Sequence, residues 1–454
     1  RVTARSPDPE QARYLGAQSL LRWVGGCLRC SSSTIFPIAS PIGSAIRLRV
    51  DWLPVTRRLL LTFGFPPALG GMQNYLYARC LAAEPSEITV LAPAVPGDRA
   101  FDQAQAFEVR RWPDWLAQVP GLGRVFQLGL PLFYALALYR EKQFDLIECG
   151  QALPFGLIAW MFKRALGVPY LVWIYGREIL KPQQYPVLRR ILRAVLQEAA
   201  LIISISESTR QAAIRIGVSP DRVQVIYPAV DTHRFHPDID GAQVIARYEL
   251  QGKKVVLTVS RLVPRKGIDT VIHALPNILE AVPDVAYVVV GDGPDRGRLK
   301  TLAQEQGVAD HVHFVGWVND DVLPTCYAAC DVFVMVSRSI PEAGEVEGFG
   351  IVYLEAGACG KPVVAGRGGG VAEAVQDGIS GLLVDPLDVA AVGDAVIRIL
   401  QDSTLAAHLG AGGQRWAQRA PDWRILNLVK HERPVTSRVD PVLAEEPSHG
   451  STNE

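Results

Sequence analysis

Cysteine is sparse in this chain, and its spacing argues against a domain built on disulfides or zinc. The 454 residues include seven cysteines, an odd number. Cys27 and Cys30 form one C-x-x-C pair, but no second pair follows at the spacing of a structural zinc site. Since no disulfide framework is indicated, we expect a protein of a reducing, cytoplasmic compartment.

Long uncharged apolar runs are also missing. The longest candidate, Gln151 to Gly176, is interrupted by Lys163 and Arg164, so the sequence predicts no membrane-spanning helix. Residues 1–56 mix Ser, Pro, Gly and Arg without sustained periodicity, and they lack the layout of a signal peptide. We expect them to be a poorly ordered extension.

Several catalytic and cofactor motifs do not occur in the sequence. There is no Walker lysine loop, no H-E-x-x-H and no catalytic Ser/His/Asp order. The glycine loops Gly291–Pro294 and Gly366–Gly370 lack the G-x-G-x-x-G spacing of a dinucleotide site, which argues against a nicotinamide dehydrogenase. Asp320 and Asp321 adjoin a predicted helix start and are interpreted as caps, so we expect no metal.

The chain as a whole has no excess of either charge, although its two halves differ in net charge. The 46 basic and 46 acidic residues cancel, so composition does not indicate a nucleic-acid partner. Residues 58–230 hold 18 Lys/Arg against 13 Asp/Glu, whereas residues 231–420 hold 16 against 24. This asymmetry indicates either different partners for the two halves or a chance distribution of surface charge.

A regular alternation of short apolar runs and helical segments starts at Arg57. Most runs are continuously apolar, as in parallel strands that are buried on both faces. The alternation breaks at Pro228 and restarts at Lys254. The pattern predicts an α/β fold with two Rossmann-like, doubly wound domains that face a central cleft. The predicted segments are an extension (1–56), an N-terminal domain (57–228), a linker (229–252), a C-terminal domain (253–423) and a tail (424–454).

The segment Glu347–Glu355 combines two carboxylates with the predicted start of a helix. Gly348 and Gly350 lie between them, and helical periodicity begins after Gly350. The unpaired backbone N–H groups and the positive end of a helix favour an anion. Carboxylates on both sides of such a site suit a ligand with sugar hydroxyls flanking a diphosphate. The alternative is an ordinary helix with an acidic start and one exposed glutamate.

Three further loops at predicted strand ends carry residues that could bind a ligand. Arg261 and Lys266 follow the strand at 254–259 and offer donors for phosphate oxygens, although a solvated basic loop would look the same. In the first domain, Gly70 and Gly71 permit close approach of a ligand to the backbone. Tyr175, Arg177 and Glu178 also end a strand there and are acceptor-side candidates, unless they form an ordinary exposed ion pair.

Taken together, these motifs resemble the family-4 retaining glycosyltransferases of the GT-B fold. The resemblance covers about residues 57–423 and is carried by Arg261 with Lys266, Gly291-Asp-Gly293, the Glu347/Glu355 pair and the glycines at 70–71. The stretches Val346–Gly360 and Arg261–Gly267 look most like the phosphatidylinositol mannoside mannosyltransferase branch.

The resemblance implies roles for individual residues. Arg261 and Lys266 would bind the diphosphate of a sugar nucleotide, Glu355 its ribose and Glu347 the transferred sugar. The donor site would be completed by Gly291, Gly293, Gly348, Phe349, Gly350 and Ile351, with Gly70 and Gly71 opposite. Relatives need no metal or cofactor and retain the anomeric configuration. Many carry His-Gly where this chain has Tyr175-Gly176, so the role of that position is open.

The implied reaction moves a hexose, with mannose favoured and GDP-mannose as the favoured donor, to a hydroxyl of a glycan or lipid-linked acceptor. The alternatives are an epimerase or phosphorylase on the same fold and a non-catalytic sugar-nucleotide-binding protein.

Two segments of the first domain favour peripheral contact with a membrane, at its inner face. The segment Arg110–Trp115 interleaves basic and aromatic residues. The predicted helix 186–199 carries three arginines, Arg189, Arg190 and Arg193, beside an apolar face. The competing interpretation is a helix whose apolar face packs on its own sheet.

Overall fold

The computed structural model describes residues 57–68, 70–113, 123–419 and 421. These residues form two domains in which parallel strands alternate with helices along the chain. The predicted fold class is confirmed. The predicted extension at 1–56 and the predicted tail at 424–454 lie outside the described residues.

The first domain contains a sheet of seven parallel strands. They are β1 (Arg58–Leu61), β2 (Ile88–Pro93), β3 (Glu108–Trp112), β4 (Leu146–Cys149), β5 (Tyr170–Ile174), β6 (Leu201–Ser204) and β7 (Val223–Val225). Their order across the sheet is β3-β2-β1-β4-β5-β6-β7. The central strand β1 pairs with β2 and β4, and Leu60 faces Val90 and Glu148 in this register. Leu60 is fully buried, as expected of a strand covered on both faces.

Helices cover this sheet on its two faces. They are α1 (Gly71–Leu81), α2 (Asp98–Gln103), α3 (Gly123–Lys142), α4 (Phe155–Leu166), α5 (Arg177–Leu180), α6 (Pro186–Glu198) and α7 (Glu207–Arg215). A buried ion pair fixes α1 to the sheet, because Arg79 donates to Glu148 of β4 at 2.9 Å. The start of α1, at Gly71, is thereby held at the carboxyl end of the strands.

The second domain repeats this plan with six parallel strands. They are β8 (Lys254–Val259), β9 (Val285–Val290), β10 (Val312–Gly316), β11 (Val332–Met335), β12 (Val363–Gly366) and β13 (Leu382–Val384), in the order β10-β9-β8-β11-β12-β13. The helices are α8 (Ala242–Arg247), α9 (Ile268–Ala281), α10 (Arg296–Glu305), α11 (Leu323–Ala328), α12 (Ile351–Ala358), α13 (Val371–Ala374), α14 (Val389–Gln401) and α15 (Ser403–Ala417).

Close packing of α12 against α15 depends on glycine. A Cβ at Gly357 of α12 would lie 3.0 Å from the carbonyl oxygen of Gly413 in α15, and one at Gly413 would lie 2.9 Å from the Cα of Gly357. The two backbones therefore approach more closely than larger residues would allow. This contact fixes α12, the helix that carries Glu355.

The segment predicted to contact a membrane at 110–115 is partly an edge strand. Arg110, Arg111 and Trp112 belong to β3, and Trp112 is buried in the first domain's core. Arg111 pairs with Asp102 at 2.7 Å. Arg111 and Trp112 are therefore occupied within the protein, whereas Arg110 is exposed; Trp115 lies outside the described residues.

Candidate active site

The candidate site lies where the strands of the second domain end. The loop after β8 carries Arg261 and Lys266, and the loop after β11 leads through Ser337 to Glu347 and the start of α12. Carboxyl ends of parallel strands meet at one edge of a sheet, which is where ligands bind in such folds. The structure therefore brings two of the predicted motifs together.

Glu347 forms the centre of a charged cluster. Its Oε2 accepts hydrogen bonds from Arg265 Nη1 at 2.6 Å, Lys266 Nζ at 2.7 Å and Ser337 Oγ at 2.9 Å. Burial by itself would raise the pKa of Glu347, but the charges of Lys266 and Arg265 outweigh it and lower this pKa to about 2. The carboxylate is thus ionised throughout the neutral range.

Glu355 lies within α12, in surroundings that differ from those of Glu347. Tyr327 in α11 donates its hydroxyl to Glu355 Oε2 at 2.6 Å. Burial raises the pKa of Glu355, while the Tyr327 hydrogen bond and the Arg234 guanidinium act in the opposite direction. A half-buried carboxylate of this kind, with cation and hydroxyl neighbours, is suited to accept hydrogen bonds from the hydroxyls of a ligand.

Between the two glutamates, the start of α12 presents unpaired backbone donors. Gly350 precedes the helix with φ 92°, a left-handed conformation that favours glycine. The N–H groups of Phe349, Gly350 and Ile351 donate to no acceptor among the described residues. They form, with the helix dipole, a site for negative charge.

Arg261 and Lys266 differ in their surroundings. Arg261 is exposed, and it makes no ion pair with any residue in the described part of the chain. Lys266 is largely buried and pairs with Glu347; burial lowers its pKa, against the opposing effect of that carboxylate. Arg261 is therefore free to bind an anion, whereas Lys266 must share its charge with Glu347.

Gly291 and Gly293 hold the loop after β9 against the loop after β8. A Cβ at Gly291 would lie 2.0 Å from the carbonyl oxygen of Ser260, and one at Gly293 would lie 2.2 Å from that of Leu262. The Leu262 N–H also donates to the Asp292 carbonyl at 3.0 Å. The structure thus gives these glycines a packing role that supports the position of Arg261.

The first domain closes against this site at two places. At the start of α1, a Cβ at Gly71 would lie 3.7 Å from Ile351 of α12, so Gly70 and Gly71 face the anion site across the cleft. At the end of β5, a Cβ at Gly348 would lie 2.2 Å from the Tyr175 carbonyl oxygen. The helix starts of both domains therefore converge on one space.

The acceptor-side candidates have structural partners. The Tyr175 ring packs 6.5 Å from that of Tyr75, and its hydroxyl is buried without a hydrogen-bond partner in the described residues. Glu178 accepts from the N–H groups of Tyr175 and Gly176, and burial raises its pKa. Arg177 pairs with Glu345 across the cleft at 3.5 Å. These contacts hold the backbone that follows β5 at the edge of the cleft.

Glu373, for which the sequence motifs indicated no role, joins the two domains. Its carboxylate lies in α13 of the second domain and accepts from the Glu207 and Ser208 N–H groups at 2.5 and 2.9 Å. Ser206 accepts from Thr209 N at 3.1 Å. The first three N–H groups of α7 are therefore satisfied, two of them by the opposite domain. The sequence showed only a glutamate after a glycine loop, with no signal for its distant partner.

No metal cluster is found in the described part of the chain: no three His, Cys, Asp or Glu side chains gather there in a way that could hold an ion. The positive charges near the anion site come instead from Arg261, Arg265 and Lys266.

The chain is similar to known proteins over most of its length. A family model described as glycosyl transferases group 1 matches residues 244–416, and one described as Glycosyltransferase Family 4 matches residues 69–234. A GDP-mannose-dependent alpha-(1-6)-phosphatidylinositol monomannoside mannosyltransferase of Mycolicibacterium smegmatis is 38% identical over 373 residues, 81% of this chain and 95% of that protein. Its counterpart in Mycobacterium tuberculosis is 37% identical over 379 residues, 82% of this chain and 96% of that protein.

Solved structures show the same fold. Anabaena HepE, determined with UDP and glucose, superposes with a TM-score of 0.69 at 23% identity, over 82% of this chain and 97% of its own. Sucrose-phosphate synthase of Thermosynechococcus elongatus gives a TM-score of 0.68 at 25% identity, over 82% and 96%.

Glu373→Ala should loosen the contact between the domains, because two N–H groups of α7 lose their acceptor. Removing a helix cap costs about 1–2 kcal/mol, which corresponds to a fall in Tm of roughly 2–8 °C for a domain of this size. Small-angle scattering should show a larger radius of gyration. Glu305→Ala, at an exposed position in α10, is the control. Equal melting temperature and radius for both variants would remove Glu373 from domain closure.

Proposed function

The chain is a glycosyltransferase that belongs to the glycosyl transferases group 1 family, and we propose that it transfers mannose from GDP-mannose to a phosphatidylinositol mannoside at a membrane surface. The donor and acceptor are those in the names of the mycobacterial relatives. The observation that carries the proposal is the arrangement of Arg261, Lys266 and the start of α12 between two partly buried glutamates.

Each part of the donor has a matching group in this arrangement. The diphosphate would bind Arg261, Lys266 and the free N–H groups of α12, whose combined positive potential suits two phosphates. Glu355 lies within α12, beyond this site, and would accept hydrogen bonds from the ribose hydroxyls. Glu347, a residue of the second domain, lies on the side of the site that faces the first domain. It would accept hydrogen bonds from the hydroxyls of the sugar.

The reaction needs no protein nucleophile. The bond between the anomeric carbon and the diphosphate oxygen breaks while the acceptor oxygen forms a new bond to that carbon. The acceptor proton passes to the departing diphosphate, so the products are GDP and the mannosylated lipid. Attack from the face that the diphosphate leaves would retain the configuration. Arg261, Lys266 and the α12 N–H groups stabilise the charge that grows on the leaving group, and electrostatic stabilisation of this kind commonly supplies most of an enzyme's rate enhancement.

A surface of the first domain is suited to contact the membrane. We name it the α6 surface: the exposed side chains Tyr185, Val187, Leu188, Arg189, Arg190 and Arg193. The helix uses Leu192, Val195 and Leu196 to pack on its domain, whereas Val187 is 66% and Leu188 41% exposed. Apolar side chains beside arginines are typical of interfacial helices.

The charge and position of the α6 surface support this interpretation. No carboxylate in the described residues lies within ion-pair distance of its three arginines, so their charge is available to anionic lipid. Gln184, adjacent to it in the chain, donates to the Glu342 carbonyl of the second domain at 2.9 Å. The surface therefore borders the cleft, and a lipid held there could extend its headgroup toward Glu347. None of the described helices is long and apolar enough to cross a bilayer.

Transfer to lipid tests the proposed reaction. The purified protein, vesicles that contain phosphatidylinositol mannoside, and GDP-mannose should yield GDP and a lipid heavier by one hexose in the α configuration, as measured by mass spectrometry and NMR. Glu347→Gln should abolish most turnover, while the exposed control Glu342→Gln should not. A preference for a UDP-sugar, or donor hydrolysis without a lipid product, would contradict the proposal; net transfer also excludes an epimerase.

Binding to vesicles tests the α6 surface separately. Sedimentation with vesicles that contain anionic lipid should fall with rising salt and with the triple change Arg189→Glu, Arg190→Glu and Arg193→Glu, because each arginine near the surface contributes about 1 kcal/mol. Val187→Ser with Leu188→Ser should weaken binding at all salt concentrations. Lys300→Glu, exposed in the second domain, is the charge control. Unchanged binding in both sets of variants would exclude this surface.

A further inference from the structure

Arg265 is the closest cation to Glu347, yet the sequence motifs indicated no role for it. It lies in the short turn Pro264–Lys266 that follows β8. Its Nη1 donates to Glu347 Oε2 at 2.6 Å, and its side chain is 19% exposed. Arg261, four residues earlier, is exposed and has no such partner among the described residues. The two arginines of this loop therefore occupy different environments, and we expect them to have different roles.

The hydrogen bonds to Glu347 are asymmetric. Arg265, Lys266 and Ser337 all donate to Oε2, and no described residue donates to Oε1. Three donors on one oxygen fix the rotation of the carboxylate and leave the other oxygen able to accept from a ligand. The arrangement is preformed by the protein and does not depend on a bound substrate.

Two anions compete for the ammonium group of Lys266, the Glu347 carboxylate and the diphosphate of the proposed donor. In the ligand-free protein it pairs with Glu347, whereas the proposed donor would place a diphosphate within its reach. A cation that turned to the phosphate would leave a buried carboxylate without a partner, which is costly. Arg265 removes that cost, because its own charge and the Ser337 hydroxyl still satisfy Oε2.

We propose that Arg265 is a positioning residue: together with Ser337 it holds Glu347 by Oε2, directs Oε1 toward a hydroxyl of the transferred sugar, and releases Lys266 to bind the diphosphate. This assignment rests on the proposed function in requiring a nucleoside diphosphate sugar in the cleft, but it does not depend on which sugar or base is bound. Arg265 acts through Glu347 and need not touch the donor.

The pH dependence of turnover reports on this pairing. The groups that face the Glu347 carboxylate are Arg265 and Lys266 from the turn after β8, Ser337 after β11 and Tyr353 of α12, whose hydroxyl donates to the Met335 carbonyl. The loop after β12 approaches only the backbone, through residues 369 and 370. Removal of the Arg265 charge should raise the pKa of Glu347, so activity would be lost at a higher pH as the solution is acidified.

The test compares Arg265→Gln, Arg265→Lys and Arg261→Ala with the wild-type enzyme, using GDP-mannose or whichever donor of a sugar-nucleotide panel the wild type hydrolyses best. Arg265→Gln should lower kcat by about 10- to 100-fold, the effect of one lost charge-assisted hydrogen bond. Its affinity for the free nucleoside diphosphate should also fall, because Lys266 could then bind the phosphates only by leaving Glu347 with Ser337 as its single donor. The acid limb of its pH profile should move to higher pH. Arg265→Lys should in large part restore kcat, nucleotide affinity and the pH profile.

Contrasting variants separate this role from others. Arg261→Ala should raise the donor KM and weaken binding of the nucleoside diphosphate, and Arg222→Gln, an exposed arginine of the first domain, should leave the kinetics unchanged. The proposal is overturned if Arg265→Gln keeps a normal kcat and pH profile. It is also overturned if Arg265→Gln weakens nucleotide binding equally in a Glu347→Gln background, where no carboxylate needs a partner, because Arg265 would then itself be a phosphate ligand. A wild-type preference for another donor would revise the proposed function and leave this comparison intact.

Discussion

The ion pairs of Glu347 connect the parts of the second domain that form the candidate site. Through its side chain, this residue joins the turn after β8 to the loop after β11. Through its backbone carbonyl, it accepts from the Gly370 N–H of the loop after β12 at 2.9 Å. Three strand ends are therefore held together by one residue, and the start of α12 follows directly from it.

Such a buried cluster contributes more to position than to stability. Removing two or three charged groups from water is costly, and their mutual attraction roughly offsets this cost. What the cluster provides is an ionised carboxylate at a fixed place and two cations paired with it just before the start of α12. The Glu373 cap and the close approach of Gly348 to the end of β5 then bring the first domain against this prepared surface.

The fold and the helix start between the two glutamates could be predicted because their signals are local. Continuous apolar runs predicted the parallel strands, and the spacing of Glu347, Gly350 and Glu355 predicted a helix start between two carboxylates. Arg265 and Glu373 could not be predicted in the same way, because each is defined by a partner more than 80 residues distant in the chain. The edge strand β3 was missed since its alternating, partly charged sequence looked like a surface segment until Trp112 was seen in the core.

The α6 surface illustrates the same limit. Helical periodicity predicted an apolar face on residues 186–199, but it could not distinguish the residues that pack on the sheet from those that continue past it. Leu192 and Val195 are buried, whereas Leu188 is exposed beside three arginines. Only the tertiary structure shows that the first turn of the helix keeps its apolar side chains exposed, next to the contact of Gln184 with the second domain.

A crystal structure of the protein with bound GDP would show directly how the cations of the site divide between Glu347 and the diphosphate. We expect Lys266 to leave Glu347 for the diphosphate, Arg261 and the α12 N–H groups also to contact the phosphates, and Arg265 and Ser337 to stay on Glu347 Oε2. A diphosphate bound away from α12, or a Lys266 that remains on Glu347 while Arg265 moves to the phosphates, would contradict this division of roles.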